Sequence, residues 1–399
     1  MTRKDLVERL SYKFSEIDKE DLKFIVDLFF ETLKEELKKG NRIELRDFGV
    51  FIPKKTKGMI FKNPKNNRKY YIKSKSRVLF KTGRQFKKRL NTPFLASFDL
   101  GTQSFRLCLG KNFNGNVYFL NKWKENVRLG EGLGNQKIIS PEAFQRGLTT
   151  LKRFKEELSK YEILKYRAIG TEVFRKAENA KEFIDFVKKD TGIEIDVISP
   201  EEEADLTLKG IFFGLKEFDL KIENFITVDV GGGSSEFIYF NNGKKEWIKS
   251  IDLGVVTLKE IFDLRHPLNS RLIRSLKDYI KEKISFLPKV SSQELIITGG
   301  TASLLGSLDL QLIYYNPEKL HGLKITKERL EKLIKKLANL DYDRLQKVKG
   351  MEKGREDIIL GGLLIYSVIF DHFNKESAIL NEYGILEGTL LSLIEDYNY

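Results

Sequence analysis

Apolar residues recur at helical spacing from the start of the chain. Leu6, Val7, Leu10 and Phe14 predict an amphipathic helix over residues 3–14, and Leu22, Ile25, Val26, Phe29, Leu33 and Leu37 predict a second over 18–38. Gly40-Asn41 stops the second helix. The period then falls to two, through Ile43, Leu45 and the run Phe48-Gly49-Val50-Phe51, so strands follow. A basic, polar stretch carries the turn formers Asn63-Pro64 and Asn66-Asn67. A strand-like run from Tyr70 to Phe80 returns from it. A short helix from Thr82 to Leu90 comes next, and Asn91-Thr92-Pro93 marks a domain boundary. Beyond it, apolar strand-like runs (Phe94–Leu100, Phe225–Val230, Glu294–Thr298) alternate with helical patterns, which predicts an α/β fold.

Charge divides the chain at the same place. The first 93 residues hold 26 Lys and Arg against 12 Asp and Glu, a net of +14, and the remainder holds 45 of each. From Phe48 to Pro93 there are 15 basic residues and no carboxylate. A charged run is ordinarily a solvated face. A long stretch without one acid, beside a balanced remainder, points instead to phosphate neutralisation and nucleic-acid binding. No apolar run reaches the roughly 18 residues of a membrane span. No signal peptide precedes the first helix, so a reducing cytoplasm is expected. The single cysteine, Cys108, sits in an apolar run, which excludes a disulfide within the chain. Three scattered histidines, His266, His321 and His372, do not make a zinc site.

The candidate chemistry lies beyond residue 93. Phe98-Asp99-Leu100-Gly101-Thr102-Gln103-Ser104-Phe105 lines up with Val228-Asp229-Val230-Gly231-Gly232-Gly233-Ser234-Ser235, and the two copies are 130 residues apart. In both, an apolar strand ends in Asp-x-Gly-x-x-Ser. Glycines let backbone N–H groups approach an anion, and hydroxyls add donors. An Asp at the strand end suits a divalent cation or a water. A third turn, Thr298-Gly299-Gly300-Thr301-Ala302-Ser303, opens a helical pattern and suits phosphate at a helix N-terminus. One such turn is no more than a strand-to-helix connection. Three, two of them duplicated, indicate two similar halves facing each other across a phosphate-binding cleft. Ser199-Pro200-Glu201-Glu202 reads as a helix start, with Ser as cap, Pro in the first turn and Glu202 closing a capping box. Acids also suit the positive end of the helix dipole. That accounts for Glu201 and Glu202 without function and leaves Glu203 over.

The order of elements before Pro93 resembles the HU/integration host factor family. The motifs are Ile43-Glu44-Leu45-Arg46-Asp47-Phe48-Gly49-Val50-Phe51, the tip Lys62-Asn63-Pro64-Lys65, and the closing segment from Phe80 to Asn91. The later chain resembles the exopolyphosphatase/guanosine-pentaphosphatase family. The likeness runs from Ala96–Leu107 through Leu129–Leu133, Gly170–Asn179, Val197–Ala204, Val228–Glu236, Gly299–Thr301, His321-Gly322 and Arg355–Asp357 to Gly384–Gly388. Pro200 and Leu386 depart from that family's usual Gly and Arg. The resemblances imply an α+β domain of helices and a β-arm over residues 1–92. They then imply two α/β domains, over 94–222 and 223–399, of the duplicated ribonuclease H-like superfold shared with actin, hsp70 and sugar kinases.

They also imply function. Glu203 takes the place of the family's catalytic base. Gly101, Thr102, Ser104, Gly231, Gly232, Gly233, Ser234, Gly299, Gly300 and Thr301 would cradle phosphate. Arg106 and Arg175 would contact it, a guanidinium suiting bidentate phosphate recognition, although a surface salt bridge is the plain alternative for either. Asp229 and Glu236 would hold Mg2+ or another divalent cation. The substrate would be inorganic polyphosphate or guanosine pentaphosphate. The N-terminal domain would form a homodimer and bend double-stranded DNA. Its β-arm, about Pro53 to Ser76, would enter the minor groove with Pro64 as wedge and Asn63 beside it. Arg46, Lys54, Lys55, Lys57, Lys62, Lys65, Arg68, Lys69, Lys73, Lys75, Arg77 and Lys81 would meet phosphates. The setting expected is cytoplasmic and nucleoid-associated, with no membrane partner. The alternative is a DNA-bending regulator whose second half senses a phosphate-rich ligand; the intact Glu203, Asp229 and Glu236 speak for an enzyme.

Overall fold

The computed structural model describes residues 2–14, 16–217, 221–262, 264, 266–290 and 294–395. The chain folds as two compact units that divide between Thr92 and Pro93.

In the N-terminal unit, helices span Arg3–Lys13 and Lys19–Lys38. The first starts in a capping box: the Thr2 hydroxyl accepts the Asp5 N–H at 3.2 Å, and the Asp5 carboxylate accepts the Thr2 N–H at 2.7 Å. Strands Ile43–Leu45, Gly49–Lys55 and Ser76–Thr82 make an antiparallel sheet in that order. A separate two-stranded ribbon pairs Met59–Lys62 with Lys69–Ile72. The run Tyr70 to Phe80 is therefore two strands, not one. Between them Thr56 exchanges hydrogen bonds with Ser74 and Lys75, which takes the chain out of the ladder. At the ribbon tip, Asn63 accepts the Asn67 N–H at 2.8 Å and its side chain accepts the Lys65 N–H at 2.9 Å, with Pro64 in the turn. Asn67 takes the left-handed conformation there, which Asn tolerates. The last helix starts two residues later than the sequence suggests, at Arg84, because Gly83 remains extended as its cap. Among the described residues of this unit, Val7, Leu22 and Val26 are the buried apolar side chains, while Phe24, Ile25, Leu28 and Phe29 are exposed.

The second unit has two lobes, each built on a mixed sheet. The first orders its strands Ile195–Val197, Ile163–Gly170, Phe94–Leu100, Phe105–Phe113, Asn116–Glu125. The second orders Lys244–Ile251, Ser235–Asn241, Asn224–Val230, Glu294–Thr298, Ser377–Asn381, Lys324–Thr326. In each, a central strand has an antiparallel meander on one side and parallel strands on the other, to which the second sheet adds Lys324–Thr326 as an antiparallel edge. The repeated Asp-x-Gly-x-x-Ser segments thus reflect a repeated sheet. Both central strands are nearly continuous apolar runs, as strands covered on both faces must be.

The strands separate at the interval between residues 217 and 224, but two helices do not. Helix Pro200–Glu217 packs Ala204, Leu208, Ile211 and Leu215 against Phe225, Ile238 and Ile296 of the second sheet. Helix Ile385–Glu395 packs Leu386, Leu390, Leu393 and Ile394 against Leu95 and Cys108 of the first. Each lobe is closed by a helix encoded beside the other. Leu386 belongs to this apolar contact, and its carbonyl accepts the Ser97 hydroxyl at 2.7 Å.

The two exchanged helices cross so closely that a Cβ at Gly388 would collide with the carbonyl of Leu206. We predict that Gly388→Ala destabilises this unit. The gain in helix propensity is at most ~1 kcal/mol. Forcing a methyl against packed backbone costs ~1–3 kcal/mol. Both tryptophans, Trp123 and Trp247, lie in this unit, so their fluorescence reports its urea midpoint. A midpoint equal to or above wild type would show that the crossing tolerates a methyl.

Candidate active site

Two strand ends meet at the cleft. Leu100 leads into a turn closed by the Gly101 N–H to the Ser104 carbonyl at 3.1 Å, and Val230 leads into one closed by Gly231 to Ser234 at 2.9 Å. The turns abut: Gly232 lies against Thr102 and Gln103 of the opposite lobe. The third turn begins helix Gly299–Asp309. Gly299 sits at φ +84° with the Asp229 carboxylate where a Cβ would be, so both its backbone and its neighbour require glycine. The enclosed space is about 80 Å³, lined by both turns, Gly300 and a set of buried charges.

Those charges set the electrostatics. Asp99 and Asp229 end the two central strands. Asp99 accepts Arg106 Nε at 2.6 Å. Burial works against the Arg106 charge, but Asp99, Asp229 and Glu387 more than offset it, and its pKa is raised. Burial pushes Asp229 up to about 6, with Arg106 opposing and Asp99 adding. Glu236 is held well above the usual carboxylate range by burial, then by Glu203 and Asp229, against a hydrogen bond from the Ser234 hydroxyl; the Ser250 hydroxyl also donates to it, at 3.1 Å. Glu203 lies in the first turn of helix Pro200–Glu217, its N–H bonded to the Ser199 carbonyl at 2.9 Å. Burial raises its carboxyl to about 7, Arg175 pulling the other way, Asp99 and Asp229 adding. Arg175 Nη1 donates to Glu203 Oε2 and to the Ile198 carbonyl, each at 2.9 Å. Ser199 caps the helix by accepting the Glu202 N–H at 3.2 Å, as the sequence suggests, but the Glu202 carboxylate pairs with Arg167 and does not close the capping box expected of it.

The cleft brings together Gly101, Thr102, Ser104, Arg106, Glu203, Asp229, Gly231, Gly232, Gly233, Ser234, Glu236 and Gly300. Gly299 lines an adjoining cavity. Thr301 donates its hydroxyl to the Val230 carbonyl at 2.6 Å and ties the third turn to the second. Arg175 is not on the cleft wall; it orients Glu203.

Sequence reasoning did not assign Asp99, Gln103, Glu172 or Arg355, all of which line the cleft. Asp99 was legible as the duplicate of Asp229. Arg355 is buried beside Gly300, its Nε without a partner among the described residues. Gln103 is 4% exposed, and neither carboxamide atom has a protein partner among them. Leaving a buried polar group unmatched costs about 1–3 kcal/mol, so these groups are suited to meet a ligand or water.

Among the described residues, no three acid, histidine or cysteine side chains form a ready metal cage. Magnesium needs none. It takes one or two carboxylates and completes its shell with phosphate and water. Asp229 and Glu236, hard oxygen donors whose charged forms are disfavoured by burial and by neighbouring acids, fit that demand.

With this geometry, the comparisons with known proteins are specific. The profile of the Ppx/GppA phosphatase family matches residues 110–397, and that of bacterial DNA-binding protein matches residues 1–91. A bifunctional 3-dehydroquinate synthase/phosphatase of Fusobacterium nucleatum is 32% identical over 316 residues, which is 75% of this chain. The chain spans about half (46%) of that relative's length. A putative exopolyphosphatase of Haemophilus influenzae is 27% identical over 315 residues, covering 78% of this chain and 94% of that protein. The crystal structure of the Aquifex aeolicus Ppx/GppA family member superposes with a TM-score of 0.66 at 25% identity, over 77% of this chain and 99% of that one. An exopolyphosphatase from Cytophaga hutchinsonii, at TM-score 0.69 and 24% identity over 76% of this chain and 98% of its own, shares the fold. The chain belongs to the Ppx/GppA phosphatase family, with a DNA-binding-type unit of the HU kind ahead of its hydrolase unit.

Proposed function

We propose that the hydrolase unit removes the terminal phosphate of inorganic polyphosphate by direct attack of water. One observation carries this: a carboxylate poised near neutrality, Glu203, faces three glycine-rich turns in a cleft the size of a phosphoryl group. Arg175 holds Oε2 of Glu203 and so presents Oε1 to water. Glu203 takes a water proton as the oxygen bonds the terminal phosphorus. The anhydride P–O bond breaks, and the shortened chain leaves with its charge on the former bridging oxygen. Backbone N–H groups of the turns, Arg106 and Arg355 would meet the equatorial charge, so the work is positioning and electrostatics. Magnesium held by Asp229 and Glu236 would offset phosphate charge when bound.

Guanosine pentaphosphate is a second reading with an observation of its own. A cavity of about 480 Å³ adjoins the cleft through Arg106, Asp229, Gly300 and Ile385, lined by Trp123, Tyr314 and Tyr315 and by the carboxylate of Glu382. That volume suits a small-molecule pocket, whereas the phosphate cleft is too small for a nucleoside.

For the N-terminal unit we propose a homodimer that bends DNA. Phe24, Ile25, Leu28 and Phe29 form an exposed stripe on one helix, with three buried apolar side chains beneath the whole unit. A two-fold pairing is the commonest way to cover such a face. Lys62, Pro64 and Lys65 lie at an exposed ribbon tip, the position for a minor-groove wedge. A nucleoid location follows from that reading. Among the described residues no helix is long and apolar enough to cross a membrane.

Glu203→Gln should lower kcat on polyphosphate by about a hundredfold to ten-thousandfold, the usual cost of a lost general base. In the wild type, kcat/KM should fall about tenfold per pH unit below about 7, because a raised carboxyl pKa means the base is protonated as pH drops through it. Retention of more than about a third of kcat in Glu203→Gln would remove the residue from the chemistry. Asp229→Asn and Glu236→Gln should each raise the magnesium concentration for half-activation; equal values in both variants and wild type would clear them of metal binding. Light scattering should give twice the 46.3 kDa chain mass, and Ile25→Asp with Phe29→Asp should halve it. Pro64→Ala should reduce the bend of a bound duplex, read by end-to-end fluorescence transfer. A monomeric wild type, or an unaltered bend, contradicts the corresponding half of the reading.

A further inference from the structure

The two units use their cations in opposite ways. Of the cations that line the hydrolytic cleft and its adjoining cavity, Arg106, Lys122 and Lys124 are committed to Asp99, Glu387 and Glu352, and Arg355 is buried. With 45 basic and 45 acidic residues after position 93, that part of the chain has no net charge with which to attract a polyanion over distance. The N-terminal unit carries the whole excess of +14. None of its eleven lysines and arginines between Lys54 and Lys81 forms an ion pair with a described carboxylate. Every residue of the ribbon strands Met59–Lys62 and Lys69–Ile72 is exposed.

Such a surface binds a phosphodiester chain mainly by releasing its counterions, a term that ignores base sequence. An inorganic polyphosphate chain offers the same element, one negative charge on each internal phosphate, without grooves. We propose that the basic arm of the N-terminal unit is also a polyphosphate-binding site. DNA and polyphosphate would occupy it in competition, and a chain held there would be at raised effective concentration for the covalently linked hydrolase unit. The arm would then favour long chains over short ones, because a short chain spans few of its cations. The catalytic half of this inference rests on the polyphosphatase reading; the binding half does not.

The test uses the full chain carrying Glu203→Gln, so that polymer is not consumed, bound to a fluorescent DNA duplex. Long-chain sodium polyphosphate should displace the duplex, and tripolyphosphate at equal total charge should not. Adding Lys62→Ala, Lys65→Ala and Lys69→Ala should weaken both DNA and long polyphosphate. The DNA salt slope should fall by up to about 0.9 for each phosphate no longer neutralised. In the otherwise wild-type enzyme, the same triple substitution should lower the ratio of kcat/KM for long polyphosphate to that for tripolyphosphate by about tenfold, within the range that effective concentration supplies. A duplex undisturbed by excess long polyphosphate overturns the proposal, and so does a triple variant that loses DNA but keeps polyphosphate. An unchanged kcat/KM ratio overturns the delivery role. Displacement of DNA with no phosphate released from polyphosphate by the wild type upholds the shared site and overturns the substrate reading instead.

Discussion

Carboxylates buried side by side are the constraint on which the hydrolase unit depends. Asp99, Asp229, Glu203 and Glu236 share one cleft, and burial and mutual repulsion raise the last three above the ordinary carboxylate range. A cluster of this kind is unfavourable without cations, and the fold answers unevenly. Arg106 neutralises Asp99 and Arg175 restrains Glu203. Among the described residues, Glu236 has hydroxyl partners, from Ser234 and Ser250, and no cation. The imbalance leaves three carboxyls with raised pKa values around one cleft, a perturbation that clusters at functional sites.

Keeping that cluster in register requires two sheets to face each other with little slack. The exchanged helices supply the connection. Helix Pro200–Glu217 carries Glu203 into the cleft at one end and packs on the second sheet along its length. Helix Ile385–Glu395 returns the chain to the first sheet, where the Ser97 hydroxyl meets the Leu386 carbonyl. Further ties cross between the lobes: Arg128 to Asp357 at 2.7 Å, and the Gly132 N–H to Glu260 at 2.6 Å. Glu203 is thus held from both lobes: its helix packs on the second sheet, and its partner Arg175 comes from the first lobe.

The N-terminal unit follows a different logic. Its helices and sheet leave apolar side chains in water, and its arm holds cations with no carboxylate of their own among the described residues. In the reading proposed above, a second copy would cover the apolar stripe and a polyanion would meet the arm. The chain thus joins a unit with a net charge of +14 to a Ppx/GppA-family unit with none.

Local pattern determined much of this by itself. Periodicity marks the helices, the switch to strands and the boundary near Pro93. The repeated Asp-x-Gly-x-x-Ser segments announce two matching phosphate turns, because a turn that exposes backbone N–H groups needs glycine wherever it occurs. The helix start at Ser199-Pro200 is legible for the same reason, since capping is a local interaction: the Ser199 hydroxyl accepts the Glu202 N–H, and Glu203 is the next acid along. Other roles are not local. The resemblance offers Arg175 as a phosphate ligand, but that it pairs with Glu203, 28 residues on, is not written in any local pattern. Gln103 falls at a variable position of the repeated turn and Arg355 at the edge of a matching segment, and neither setting shows that packing buries them with polar atoms unmatched. The exchange of helices between lobes is likewise invisible in an apolar pattern, since an amphipathic face specifies that it must be covered but not by which sheet. Only the tertiary structure decides which charges meet, because ion pairing and desolvation depend on distance through space rather than on separation along the chain.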